Sequence, residues 1–248
     1  MKAILLAGAE NRALQMYSKV RKEALIPING KPMINYVLEV LCETDEVGQI
    51  IVVGLEAESN IYNHTKCKYI VGGETLWDNL YKALRELKDE REVLVVTSDI
   101  PLITQNSLKA VFKNYRNEGN YEAWYPVVSK DITEATFPGV SRTYVKLKDG
   151  TFTGGNLFII KPLKFLALEK EIMEVYSLRK SPFKLAKLLG WGFMLKMLTR
   201  GLTLEQAEKK VEEAFGIKGK AFIFAYPEIA VDVDKPSDYE MVEKLLTS

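Results

Sequence analysis

Lys2-Ala3-Ile4-Leu5-Leu6-Ala7-Gly8-Ala9-Glu10-Asn11-Arg12 opens with an apolar run and passes straight into a turn of small residues. Such a run reads as a strand buried on both faces, the kind found in parallel sheets covered by helices. The turn falls at the strand's carboxyl end, where open α/β sheets bind ligands and backbone N–H groups can face a phosphate. One Gly and one Ala make a poor glycine-rich loop, so a plain tight turn is an equal reading.

Working outward, residues 31–41 carry Met33, Ile34, Val37, Leu38 and Leu41 on one helical face. Residues 49–54 and 69–71 read as strands. Residues 75–88 place Leu76, Leu80, Ala83, Leu84 and Leu87 at helical spacing, 92–97 form another apolar strand, and a helix follows over about 105–115. This alternation predicts an α/β fold with a mainly parallel sheet and helices on both faces. In the second half, 122–128, 143–147, 156–160 and 221–225 read as strands. Between them, 161–216 reads as a helical insertion in a single domain spanning 1–248. Pro182 starts a helix there, Gly190 and Gly192 loosen one, and Thr203 with Gln206 makes a capping box for a helix through Phe215.

Composition narrows the chemistry. The chain has 248 residues, 47% hydrophobic and 27% charged, with 34 Lys+Arg against 33 Asp+Glu. That balance excludes a disordered chain and lacks the basic excess of a nucleic-acid binder. Cys42 and Cys67 are the only cysteines and His64 the only histidine, so cysteine-rich and histidine-rich metal sites are excluded. His64 reads as a surface loop residue. No uncharged stretch reaches the ~20 apolar residues of a membrane span. The expectation is a soluble, cytoplasmic protein that engages neither nucleic acid nor membrane.

Acidic residues sit where a ligand crevice is expected. The strand over 92–97 runs into Thr97-Ser98-Asp99-Ile100-Pro101-Leu102, and Val231-Asp232-Val233-Asp234-Lys235-Pro236 precedes the last helix. Singly, each acid reads more readily as a helix cap than as a metal ligand. Between them lie Leu25-Ile26-Pro27-Ile28-Asn29-Gly30-Lys31-Pro32-Met33, Gly72-Gly73-Glu74-Thr75 before a helix carrying Asn79, and Thr153-Gly154-Gly155-Asn156 at the start of a strand.

In this order the segments resemble the MobA-like, GT-A-like superfamily of nucleoside triphosphate transferases. It includes the guanylyltransferase of molybdenum-cofactor synthesis and sugar and alditol cytidylyltransferases. The family pattern is a Leu-Ala-Gly-Gly-x-Gly-x-Arg loop, a Lys-x-Leu-x-Pro-x-x-Gly-Lys-Pro-Met segment, an Asp-x-Pro-Leu turn and a late Asp before a proline. The likeness spans about 2–160, returns at 221–248, and weakens over 161–216.

The resemblance implies a Rossmann-like, GT-A-like mixed sheet and a Mg²⁺-dependent transfer of a nucleotidyl unit from a nucleoside triphosphate to a small phosphorylated acceptor. Asp99 and Asp234 would hold the ion, with carboxylates within about 8 Å of each other. Arg12, Lys22 and Asp99 would be catalytic, and Leu6, Ala7, Gly8, Ala9, Gly73, Asn79 and Ser98 would bind the nucleotide. Gly155 and Asn156 would face the acceptor. Arg142, Arg179, Lys180 and Lys184, read from their charge alone, are either contacts to an anionic acceptor or, for at least half of them, plain surface charge. Asp232 is read as pointing the opposite way from Asp234. Residues 161–216 would cover the acceptor or form a homodimer contact.

Two departures stand out. Ala9 and Asn11 replace family glycines, and the family's phosphate-binding lysine aligns with Glu23, one residue after Lys22. Either the loop is shifted, keeping Arg12 and Lys22 on the phosphates with Glu23 turned away, or Glu23 faces the phosphate. The first arrangement is the expectation. The second would leave a nucleotide-binding regulatory relative without turnover. A glycosyltransferase would want its Asp-x-Asp after a mid-chain strand, whereas Asp232-Val233-Asp234 comes late.

Overall fold

The computed structural model describes residues 1–55, 61–117, 121–178, 196, 199 and 201–247. In chain order, β1 (Lys2–Leu6) leads to a hairpin of β2 (Pro27–Ile28) and β3 (Lys31–Pro32), then α1 (Met33–Glu43), β4 (Ile50–Val53) and β5 (Cys67–Ile70). Next come α2 (Leu76–Glu86), β6 (Val93–Thr97) and α3 (Gln105–Asn117). The chain continues through β7 (Ala123–Ser129), α4 (Lys130–Thr136), β8 (Val145–Leu147), β9 (Gly150–Gly154) and β10 (Leu157–Ile160). After α5 (Pro162–Ala167) and α6 (Glu169–Leu178), the last described elements are α7 (Leu204–Phe215), β11 (Gly219–Phe224) and α8 (Pro236–Leu245).

Apart from the β2–β3 hairpin, these strands form one sheet in the order β5-β4-β1-β6-β10-β7-β9-β8, with β11 paired to β7. β5, β4, β1 and β6 are mutually parallel. β10 runs against both β6 and β7, and β11 runs parallel to β7. Strand alternation sends side chains to two cores. Ala3, Leu5, Val52 and Val96 pack with Ile34, Leu38 and Leu41 of α1 and Val111 of α3. Ile4, Leu6, Val53 and Val95 pack with Leu80, Ala83 and Leu84 of α2. Each fully buried Leu, Ile or Val contributes roughly 1.5–3 kcal/mol, so the two cores dominate the stability of the parallel half.

Local signals set the ends. Asn29 (φ 49°) and Gly30 (φ 79°) are both left-handed. That conformation makes the two-residue turn between β2 and β3, for which Asn-Gly is the favoured pair. Pro32 remains extended at ψ 135°, so α1 begins at Met33, two residues later than its apolar spacing suggests. Thr75 and Asp78 cap α2, and the capping box read at Thr203 and Gln206 caps α7.

The second half differs more from expectation. β8 falls within the strand read at 143–147, whereas α4 and its neighbour β9 carry no clear sequence signal. Both are short and supported by tertiary pairing, β9 lying against β7 over Phe152–Gly154. Within 161–216 the described residues include helices α5, α6 and α7. Pro182, Gly190, Gly192, Arg179, Lys180 and Lys184 lie outside the described residues. Among the described residues no helix is long and apolar enough to cross a membrane. A third core brings the end of the chain back to its beginning, with Val231, Val233, Tyr239 and Val242 against Leu14, Ile26, Ile28 and Met33.

Candidate active site

Asp99 is the second residue after β6, at the same end of the sheet as the turn after β1. The Ser98 N–H donates to the Leu6 carbonyl at 3.1 Å, which ties the two turns together. The Thr97 hydroxyl donates to Asp99 Oδ1 at 2.5 Å. The Asp99 carbonyl accepts the Val233 N–H at 2.9 Å, clamping the late segment beside it. Val231 and Val233 are fully buried, so Asp232 and Asp234 both emerge on the other side. One oxygen from each of Asp99, Asp232 and Asp234 lies within 4.8 Å of the other two. Opposite ligands of a small divalent ion span about 4.2 Å, given metal–oxygen distances of ~2.1 Å. Three carboxylates at this separation are a hard oxygen donor set, and they fit such an ion.

The cluster strains electrostatically without a cation. Burial, then repulsion from Asp232, pushes Asp99 up to about 6, although the Thr97 hydrogen bond opposes the rise. Burial and Asp232 push Asp234 up to about 7. Arg142 is the local counter-charge. Its guanidinium donates to the Asp232 carboxylate, to the Asp232 carbonyl at 2.5 Å, and faces Asp238 at 3.4 Å. Only 6% of that side chain is exposed.

Two cavities meet at these carboxylates. One, about 320 Å³, is lined by Leu6, Gly8, Ala9, Arg12, Glu23, Asn79, Ser98 and Asp99, among others. The second, about 410 Å³, is walled by Tyr125, Thr153, Gly154, Asn156, Asp232, Asp234 and Lys235 together with Arg142. At Gly8 the backbone passes so close to Asn79 that an added Cβ would lie 2.1 Å from its amide nitrogen. Asn79 is buried and its Oδ1 accepts the Gly73 N–H at 2.7 Å, which leaves the amide nitrogen on the Gly8 side.

The model of the MobA-like NTP transferase domain matches residues 3–165. The chain belongs to the MobA-like NTP transferase domain family. It is an enzyme family, and the curated relatives are matched over part of their length. The bifunctional protein GlmU of Thermoanaerobacter pseudethanolicus is 33% identical over 133 residues, covering 52% of this chain and 28% of GlmU. The 2-C-methyl-D-erythritol 4-phosphate cytidylyltransferase of Lachnospira eligens is 28% identical over 55% of this chain and 57% of its own. The solved structure of a hypothetical transferase from Thermus thermophilus superposes with a TM-score of 0.85 at 34% identity, covering 96% of this chain and 98% of that one.

Within this MobA-like domain the residues singled out from sequence divide into groups. Leu6, Gly8, Ala9, Arg12, Asn79, Ser98 and Asp99 line the first cavity, with Arg12 exposed at its rim. Asn156, Arg142 and Asp234 line the second. Ala7 is buried, and Gly73 acts through its bond to Asn79. Gly155 is packed against Ile229 and Pro126 instead of lining the second cavity.

Three further expectations are corrected. Asp232 shares a side with Asp234, because strand residues two apart face the same way. Arg142 is committed to Asp232 and Asp238, so its charge is already spent on carboxylates. The third correction concerns Lys22 and Glu23. The loop pairs with the following segment through Asn11 N–H to the Arg21 carbonyl at 2.8 Å and Glu23 N–H to the Ala9 carbonyl at 3.0 Å. This bridge places Lys22 opposite Glu10, and its ammonium binds Glu10 at 2.8 Å and the Gly8 carbonyl at 2.9 Å. Glu23 therefore takes the other side and enters the first cavity. Burial and then Asp99, Asp234 and Asp232 push it up to about 8. Sequence reading also missed Thr97, although a hydroxyl two residues before an acid at a strand end was a readable signal.

Proposed function

We propose that this protein transfers a nucleotidyl unit from a nucleoside triphosphate to a small phosphorylated acceptor and releases pyrophosphate, with Mg²⁺ as the metal. The observation that carries this reading is the three-carboxylate cluster at the junction of two cavities. In it the triphosphate occupies the Gly8–Ala9 side and the acceptor the Asn156–Lys235 side. Asp99, Asp232 and Asp234 would hold the ion, which when bound supplies charge neutralisation for the phosphates. Thr97 orients Asp99, and Arg142 orients Asp232 from behind. Arg12 at the rim meets the polyphosphate, while Gly8 and Ala9 let backbone approach it. The Asn79 amide nitrogen is offered to a base edge. The work of these groups is positioning and electrostatics, which is what phosphoryl chemistry demands. A phosphorylated polyol, the substrate type in the name of the cytidylyltransferase relative, suits a second cavity walled by hydroxyls and amides.

Glu23 supports a second reading, in which the protein binds nucleotide as a regulator without turnover. A carboxylate opposite three others repels a triphosphate that a family lysine would attract. Pyrophosphate release is the test, with each of ATP, GTP, CTP and UTP, Mg²⁺ and a panel of sugar and alditol phosphates. Metal-dependent release with one acceptor supports the transferase. Saturable nucleotide binding with no release across the panel supports the regulator.

A further inference from the structure

Cys42 and Cys67 are the chain's only cysteines, and neither lines the cavities above. Cys42 lies near the end of α1 and is buried, whereas Cys67 opens the edge strand β5 and is partly exposed. Their sulfurs are 3.7 Å apart. Cys67 pairs in register with Ile50, the first residue of β4, and Ile50 with Ala3 of β1. The thiols therefore sit at the amino ends of the parallel strands, opposite the end that carries Asp99. We propose that Cys42 and Cys67 form an oxidisable pair, a modification site at which a small-molecule disulfide such as oxidised glutathione installs a bond between α1 and β5.

The surroundings already hold the two elements together. The Lys66 ammonium donates to the Cys42 carbonyl at 2.7 Å and to the Thr44 carbonyl at 3.2 Å, fixing the start of β5 against the end of α1. Closing the 3.7 Å gap to a disulfide length of about 2.05 Å asks for less than about 2 Å of sulfur movement, within reach of side-chain rotation. The roles of the two thiols also differ. The contact with Cys42 lowers the Cys67 thiol from its ordinary range. The same contact, with burial, pushes Cys42 up. Cys67 is the more accessible of the two, so it attacks first.

The chemistry balances as ordinary exchange. The Cys67 thiolate attacks one sulfur of the reagent, whose S–S bond breaks and releases one reduced thiol. Cys42 then gives up its proton and attacks the Cys67 sulfur, expelling the second reduced thiol. Two protein thiols lose two electrons in all, and one reagent disulfide gains them with two protons. The bond closes a loop running from α1 through β4 to β5 and ties down an edge strand.

The experiment is incubation of the native protein with excess oxidised glutathione, followed by thiol counting and intact mass. The expected result is loss of both thiols, a mass about 2 Da lower with no adduct, and a Tm raised by roughly 5–10 °C, all reversed by reductant. Cys42→Ser should stop at a single adduct on Cys67, and Cys67→Ser should leave Cys42 unmodified over the same time. Wild-type protein that retains both thiols while native, or that accumulates the mixed disulfide, overturns the proposal. Because the readouts are mass and Tm, the result stands apart from whether the protein turns over nucleotides.

Discussion

Around Asp232 and around Glu23 the chain buries acidic side chains by opposite means. Asp232 and Asp238 face the guanidinium of Arg142, held within the protein itself. Glu23 faces Asp99, Asp234 and Asp232, all of its own sign. The first region is compensated before any ligand arrives. The second becomes favourable only when a proton or a cation enters. The difference teaches where this protein has built-in order and where it depends on what it binds.

The largest effect should come from breaking the compensated side. Arg142→Ala leaves two carboxylates without their partner and should destabilise the fold by about 3–5 kcal/mol in denaturant unfolding. A loss under about 1 kcal/mol would mean that Arg142 does not compensate them. Next in size is Asp99→Asn, which should lower pyrophosphate release by roughly a hundredfold or more while leaving Tm unchanged or raised. Stability does not suffer because Asp99 is repelled by its neighbours; a fall in Tm parallel to the fall in turnover would contradict that account.

Glu23→Lys probes the uncompensated side directly. It should tighten nucleotide binding in Mg²⁺ roughly ten- to a hundredfold by calorimetric titration, whereas Lys22→Ala should change it less than about threefold. The reverse order would mean that the loop shifts on binding and brings Lys22 to the phosphates. The smallest effect is one of pH. Glu23, Asp234 and Asp99 are raised to about 8, 7 and 6, above the values they take in an unfolded chain. The folded state then holds extra protons between about pH 4 and 8, so its stability is greatest at the acid end and is lost as pH rises through that window. Because these side chains are partly exposed, solvent screening removes most of that linkage. Protein stripped of divalent ions should show a Tm falling by roughly 3–6 °C from pH 5 to pH 8, with saturating Mg²⁺ removing most of the slope. A flat profile without metal would show that the carboxylates are not coupled.

The parallel half of the fold is legible because its strands are continuous apolar runs and its helices keep strict spacing. The position of Asp99 is legible for the same reason, since a strand end is a fixed place. Asp232 was misplaced by an error of period, as alternation puts residues two apart together. Lys22 and Glu23 are harder. Which of them enters the cavity depends on the Glu10–Lys22 bridge, and a slip of one residue would exchange them. Arg142 is hidden for another reason, because its partners come from a segment 90 residues further along the chain. Nothing local marks such an arginine as buried.

The bond from the Val233 N–H to the Asp99 carbonyl joins points separated by more than half the chain. During synthesis, β1, β4, β5 and β6 leave the ribosome long before Val233 exists. The emerging protein can pair its parallel strands while Asp99 still lacks Asp232 and Asp234 beside it. Assembly of the charged cluster therefore waits until residues 231–234 have been made, when the return of Val231 and Val233 to the third core closes it. A chain that ends before that point would have its parallel strands without Asp232 and Asp234 beside Asp99.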